Sequence, residues 1–413
     1  MEGDTRGYRI TRRRDATGRA KCAMGVIVRE AHRATENLES RLLAAGLHTS
    51  WSGCGGRGEV CDMTARPGTG GNLRRVLLQA LRLPGVAQAL SGLLRDRAVI
   101  FMMHRVRQPE LGVEGHDLDD LRRLVAHLRR NRHELVSLEE VLERAGGKGP
   151  ALAGCVAFTL DDGYADQAEL AGPVFAEFDC PSTTFVTTGF LDGDLWLWWD
   201  RIEYVFRHTA RSSLALELEG EAIRLAWSDQ MERDRARDRF IARCKTMLDP
   251  VKHVAIDRLA AAAEVALPAH PPEPYAPMSW AELRRSEQRG MSFGAHTVTH
   301  PILSRTDDEQ SKRELTQSWA RLRAEAKKPT PVFCYPNGQW GDFGDREVAT
   351  LRELGMLGAV VGAPGYARLH RMSDPPSSAF EVLRFSLPDG VLDLVQVVSG
   401  FERLKGMLRR EAA

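Results

Sequence analysis

The chain has 413 residues, more than one average domain needs and enough for a barrel-type domain with appendages. With 43% hydrophobic and 27% charged residues it can bury a sizeable core, which excludes global disorder; 57 Lys and Arg against 56 Asp and Glu leave a formal charge of +1, without the basic excess of a dedicated nucleic-acid binder. No apolar run approaches the ~20 residues of a membrane-spanning helix, and seven cysteines with no Cys-x-x-Cys pair argue against a disulfide framework or a cysteine-ligated zinc knuckle, so the composition suits a soluble enzyme in a reducing compartment.

Residues 1–71 carry the triplet Arg12-Arg13-Arg14 and a Gly-rich patch from Trp51 to Gly58, with few large apolar residues and no apolar core of a signal peptide. They are expected to form a poorly ordered extension, with Met63 as an alternative start. Residues 72–97 have leucines at helical spacing flanked by arginines, which fits a helix pair packed on the domain or an interfacial helix touching anionic lipid. From Ala98 strands and helices alternate. Ala98–Met103 reads as a buried strand. Asp117 to Arg130 reads as an amphipathic helix with Leu121, Leu124 and Leu128 on one side. Leu135 to Ser137 suggests a short strand, and Ser137 with Glu140 a capping box for a helix over Leu138–Ala145. Cys155–Leu160 and Ser182–Thr187 then read as strands around a helix at Gln167–Phe178.

An insertion over about 195–277 breaks this rhythm. It holds Trp196-Leu197-Trp198-Trp199, an alternating stretch from Ser213 to Trp227 that suggests a hairpin, and a charged helix from Asp229 to Leu248. Beyond it, Ser279 is placed to cap Trp280–Arg289, Met291–Ala295 is strand-like and Asp308–Lys327 is a long helix. Val332–Tyr335 is a further strand, Asp345 caps a helix to Leu354, Leu357–Val361 is strand-like, and 391–413 is a C-terminal helix. Repeated β–α units imply a mostly parallel sheet, open or closed into a barrel.

Two segments concentrate chemistry. Asp161 and Asp162 follow the apolar run that ends at Leu160, and two buried carboxylates there are costly unless each has a partner or an ion; an ordinary Asp-Asp-Gly turn is the alternative. His296 and His300, four apart after a strand, would share one face of a helical turn, close enough to hold an ion between them. Two imidazoles and a carboxylate make a three-ligand set with a position left open, which suits zinc in a hydrolytic role.

Thr159-Leu160-Asp161-Asp162-Gly163 resembles the T-F-D-D-G motif of the polysaccharide deacetylase family (the NodB-homology domain of carbohydrate esterase family four), and His296-Thr297-Val298-Thr299-His300 matches its H-[ST]-x-x-H motif. Cys334-Tyr335-Pro336-Asn337-Gly338 falls on its R-P-P-Y-G motif, and Met103-His104-Arg105-Val106 resembles the opening of one branch. The resemblance spans about 98–390 and implies an α/β fold, a distorted, incomplete (β/α) barrel, decorated here by the helical and hairpin insertion and the N-terminal extension. It implies Asp162, His296 and His300 as ligands of a divalent metal, zinc first, with cobalt, nickel or manganese as alternatives. It further implies Asp161 as the base that activates metal-bound water, and the backbone N–H near Asn337, beside Tyr335, as an oxyanion donor. The family's bracing arginine is Cys334 here, its Asp-x-x-Asp-Trp motif has no counterpart around Val360–Arg368, and its late Leu-His corresponds loosely to Leu369-His370. The general acid is therefore left between His370 and His104.

The implied activity is removal of N-acetyl or another N-acyl group from amino sugars of a polysaccharide or glycan precursor. A catalytically silent glycan-binding protein on the same scaffold and an amidohydrolase of non-sugar amides are the alternatives. Trp196, Trp198 and Trp199 offer faces for sugar rings or a hydrophobic plug for the insertion. The expected partner is a glycan, with no nucleic acid. The expected location is the cytoplasm, peripheral to the inner membrane if 72–96 touches lipid.

Overall fold

The computed structural model of the chain describes residues 91–150, 153–193, 195–368 and 379–404. The N-terminal extension, most of the 72–97 segment, His370 and the last residues of the expected C-terminal helix lie outside the described residues.

Parallel strands β1 (Arg97–Met103), β2 (Val156–Asp162), β3 (Ser182–Val186), β6 (Met291–Ala295), β7 (Pro329–Cys334) and β8 (Gly358–Val360) lie side by side in that order; β4 (Ser213–Leu218) and β5 (Glu221–Ala226) form a separate hairpin in the insertion. β9 (Ala367–Arg368) pairs antiparallel with the start of β1. β10 (Phe385–Ser386) pairs parallel with β1, while Val382, just before it, bridges to Val360 of β8. One short segment, 382–386, thereby links the two ends of the sheet, and the strands curl into a distorted (β/α) barrel short of the usual eight units.

Strand alternation sorts the side chains. Val99, Phe101, Val156, Phe158 and Leu160 point outward under the helices, while Ala98, Ile100, Ala157, Phe185, Val332 and Cys334 fill the barrel interior. The outer layer is made by α1 (Leu118–Arg130) and α3 (Gly172–Glu177), the latter preceded by a π-helical turn at Gln167–Ala171, while α2 (Leu138–Ala145) packs Leu138, Val141 and Leu142 against the interior cluster. The insertion supplies α4 (Trp198–His208), α5 (Gln230–Cys244) and α6 (Asp249–Ala262), packed around their own apolar cluster with the β4–β5 hairpin. Then follow α7 (Trp280–Glu287), α8 (Asp308–Glu325), α9 (Asp345–Glu353) and α10 (Val391–Val398). Among the described residues no helix is long and apolar enough to cross a membrane.

Several local expectations need correction. The expected strand at Leu135 is a single bridge to Val156. Ser137 caps α2 by accepting from the Glu140 amide, but Glu140 turns to Arg144 one helical turn on instead of returning to the cap; the complete capping box is at Ser279 and Glu282 of α7. Asp345 is the first residue of α9 rather than its cap, which is Gly344. The charged helix of the insertion ends at Cys244, and a second helix starts at Asp249 with Pro250 in its first turn, where a missing N–H costs nothing.

Candidate metal centre

The site lies where β2, β6 and β7 end. Strand parity sends Asp161 into the barrel interior. Asp162, one residue on, would point outward, but it takes φ = 87° and comes to the histidines instead. His296 follows β6 directly, and its amide donates to Val186 O of β3. His300 reaches the same point through an irregular loop rather than the helical turn expected from the spacing, because Thr297 and His300 both adopt positive φ, 67° and 56°. A β-branched residue in that region is a strained outlier. Asn337 in the loop after β7 has φ = 59°. Four non-glycine residues with left-handed backbone thus fall in the three motif loops, and strain of this kind, about 1–3 kcal/mol each, persists only where the surroundings enforce it.

Asp162, His296 and His300 are buried and their donor atoms converge. The two Nε2 atoms are 3.1 Å apart and each lies 3.5 Å from Asp162 Oδ1. A tetrahedron with bonds of about 2.0–2.1 Å to its corners has edges of about 3.4 Å, so these separations fit one divalent cation with a fourth position open. The second ring nitrogens of the two imidazoles differ in their surroundings. His296 Nδ1 lies 2.7 Å from the Cys334 carbonyl, which fixes its tautomer and aims Nε2 at the centre. His300 Nδ1 is buried with no hydrogen-bond partner among the described residues, and the Trp199 ring packs against the imidazole at 4.5 Å between centroids. Burial, followed by the neighbouring His296, pushes the His300 pKa down to about 3, so its imidazole is neutral and ready to ligate near pH 7.

Asp161 has a different partner. The Arg384 guanidinium, 1% exposed, grips it through two 2.7 Å bonds and also donates to Thr159 Oγ1 at 3.0 Å and to Val361 O at 3.1 Å. Burial alone would push the Asp161 carboxyl up; the charge and hydrogen bonds of Arg384 overcome this and hold it well below the usual carboxylate range. The brace that the sequence lacks at Cys334 therefore comes from Arg384, in the segment that joins the sheet ends. Sequence reasoning missed it. The one available signal was a lone arginine in the apolar run Val382-Leu383-Arg384-Phe385, since a buried cation needs an anionic partner. Cys334 remains in contact, its Sγ 3.3 Å from the guanidinium and 3.6 Å from Asp161 Oδ2, with a thiol pKa raised by burial. With Asp161 so occupied, the second convergent group, Asp161, His296 and Cys334, is a poor metal site.

Of the other candidates, His104 lies beside Asp161, Nε2 to Oδ2 3.9 Å, with its side chain 52% exposed. Gln167 Nε2 ties the carbonyls of His104 and Asp161 together, at 2.6 and 2.5 Å. Asn337 is half-buried; its side chain donates to Asp342 and accepts from Lys245 Nζ at 2.8 Å, and its amide N–H meets no acceptor among the described residues. Tyr335 is a correction: its ring is buried and stacked on Phe343, and its amide donates to Val360 O, so neither is offered to a ligand. Trp198 is another. It is 3% exposed inside the insertion's own cluster, and Trp196 is 8% exposed. Trp199 alone of the three reaches the site. The insertion touches all three motif loops: Asp200 accepts from Tyr164 OH at 2.8 Å, Trp199 meets His300, and Lys245 meets Asn337. It forms a wall of the site.

Residues 257–358 match the family described as polysaccharide deacetylase, a span that contains His296, His300 and Asn337 and starts after the Asp161–Asp162 pair. No curated protein matches the chain. Among solved structures the chain is similar to the deacetylase PplD of Streptococcus pyogenes in complex with acetate, at 16% identity and TM-score 0.48, over 74% of this chain and 99% of that one. IcaB from Ammonifex degensii aligns at 17% identity and TM-score 0.45, over 74% and 97%. The BpsB deacetylase domain from Bordetella bronchiseptica aligns at 16% identity and TM-score 0.41, over 71% and 96%.

Proposed function

We propose that this chain, residues 257–358 of which match the polysaccharide deacetylase family, is a metal-dependent hydrolase removing N-acetyl or another N-acyl group from amino sugars of a polysaccharide or glycan precursor. The observation that carries this is the convergence of Asp162 Oδ1 with the Nε2 atoms of His296 and His300 beside a second, separately braced carboxylate. The three residues would hold the ion, zinc by donor type, with cobalt, nickel or manganese as substitutes. When bound, such an ion supplies Lewis acidity toward the amide carbonyl and acidifies water.

The chain's own groups do the rest. Asp161, kept ionised by Arg384, takes the proton of the attacking water. The Asn337 N–H, which meets no acceptor among the described residues, is assigned as the donor to the oxyanion that develops at the carbonyl oxygen. His104, half-exposed and 3.9 Å from Asp161, delivers a proton to the departing amine; His370 lies outside the described residues. Trp199, half-buried beside His300, is the aromatic group assigned to the sugar. The buried Arg384–Asp161 pair answers one of the two arguments for a silent glycan-binding protein, the missing arginine at Cys334, since a bracing cation is supplied from the residue just before β10.

Acetate release from acetylated chitooligosaccharides tests this reading. The purified chain is expected to release acetate, to lose at least ten-fold in rate with a strong chelator, and to recover on adding zinc or cobalt. Release that is indifferent to chelation, or no release from any acylated amino sugar by metal-loaded protein, would count against it.

A further inference from the structure

Glu314 lies near the middle of α8, 6% exposed, with no basic partner among the described residues. A buried, unpaired carboxylate is expensive, and an apolar residue would serve the packing of a helix better. Its bonds all go to one place. Oε2 accepts from the amides of Val298 and Thr299 at 2.7 and 2.9 Å, and Oε1 accepts from Thr299 Oγ1 at 2.6 Å. Those residues separate the two histidines, in the loop where Thr297 and His300 hold positive φ. From the other side, the amides of Thr188 and Gly189 donate to the carbonyls of Thr297 and Val298, at 3.0 and 2.9 Å. A Cβ on Gly189 would come within 2.7 Å of the Val298 carbonyl oxygen, so the contact is closed on that side too. The loop is held between a helical turn that supplies donors and a carboxylate that supplies acceptors.

We propose that Glu314 is a positioning residue for the metal centre: by accepting from both amides and the hydroxyl it enforces the strained backbone that brings His300 Nε2 to His296 Nε2. The proposal rests on the metal-dependent reading of the site. Removing the carboxylate would orphan two amides and let Thr297 and His300 relax to ordinary φ, swinging the second imidazole away. Partners of this outer kind change metal affinity by about 10–100-fold.

The test titrates Co²⁺ into the metal-free full chain by calorimetry and follows amide exchange at residues 298 and 299. Glu314→Leu is expected to weaken Co²⁺ binding by about 10–100-fold and to speed exchange at both amides by about ten-fold or more. Glu314→Gln, whose amide oxygen can accept from both backbone groups, is expected to stay near wild type in both readouts. Should Glu314→Leu not fold, Thr299→Val, which deletes only the hydroxyl contact, is expected to weaken binding a few-fold. Wild-type Co²⁺ affinity in the Leu variant, or in Thr299→Val where that variant decides, would overturn the assignment. Unchanged exchange at 298 and 299 in the Leu variant would overturn the clamp even if the wild-type chain took up no Co²⁺, an outcome that would itself refute the metal reading.

Discussion

Asp161→Asn is expected to lower kcat/KM by about 10²–10⁴-fold, the usual worth of a positioned general base, with metal content unchanged. The asparagine side chain is nearly isosteric and can accept from one guanidinium nitrogen, but it cannot take a proton. Its amide NH₂ would face the second nitrogen of Arg384, which now donates at 2.7 Å. The variant therefore also leaves a buried guanidinium without its counter-charge, and removing one partner of such a pair costs about 3–5 kcal/mol of stability. Activity loss, retained metal and a lowered melting temperature should appear together. Retained turnover in a metal-loaded Asp161→Asn chain contradicts the base assignment.

Arg384→Met is the complementary change, with a loss of about 3–5 kcal/mol in stability and a displaced pH profile. In the native chain, burial pushes Asp161 up but Arg384 holds it well below the ordinary carboxylate range, so the base is ionised throughout the neutral region. Without the guanidinium, burial dominates and the carboxyl titrates at higher pH. Because only the ionised form accepts a proton, the acid limb of kcat/KM should move to higher pH in the variant. The stability linkage has the same sign. A depressed carboxyl contributes stability that is present above its unfolded value of about 4 and is lost as pH falls through the folded value. That contribution should vanish in Arg384→Met. Arg384→Lys, a point charge in place of a planar fork, should fall between the two. An unmoved acid limb would show that Arg384 does not govern the base.

Much of this architecture was legible because local signals agreed. The apolar run ending at Asp161 and Asp162 became β2, and the helix from Leu118 to Arg130 buries Leu121, Leu124 and Leu128 as its periodicity requires. Asp162, His296 and His300 were singled out by the resemblance of their two motifs to a known family, because residue type alone left an ordinary Asp-Asp-Gly turn open; the structure brings the three side chains together. The path by which His300 arrives was not. A spacing of four suggests a helical turn, and nothing in Thr297-Val298-Thr299 announces left-handed backbone at a threonine. Its cause, Glu314, sits in a helix rich in charge on several faces, where one buried glutamate cannot be told from solvated ones. Arg384 was hidden for a similar reason: its partner is 223 residues away in the chain, and only closure of the sheet through Val382 and Phe385 joins them. Trp196 and Trp198 left two readings open, because an aromatic cluster looks alike in sequence whether it faces a ligand or a core. The insertion supplied its own core, which Trp198 helps to fill, while Trp196 is buried against Tyr204 and Tyr275.

The central claim is that Asp162, His296 and His300 bind one divalent ion between them. Elemental analysis of purified full-length wild type, Asp161→Asn and His296→Ala, each dialysed against the same zinc buffer, tests it most directly. The account predicts one equivalent per chain in the wild type and in Asp161→Asn, and essentially none in His296→Ala. Stoichiometric zinc in His296→Ala, or none in the wild type, would contradict it.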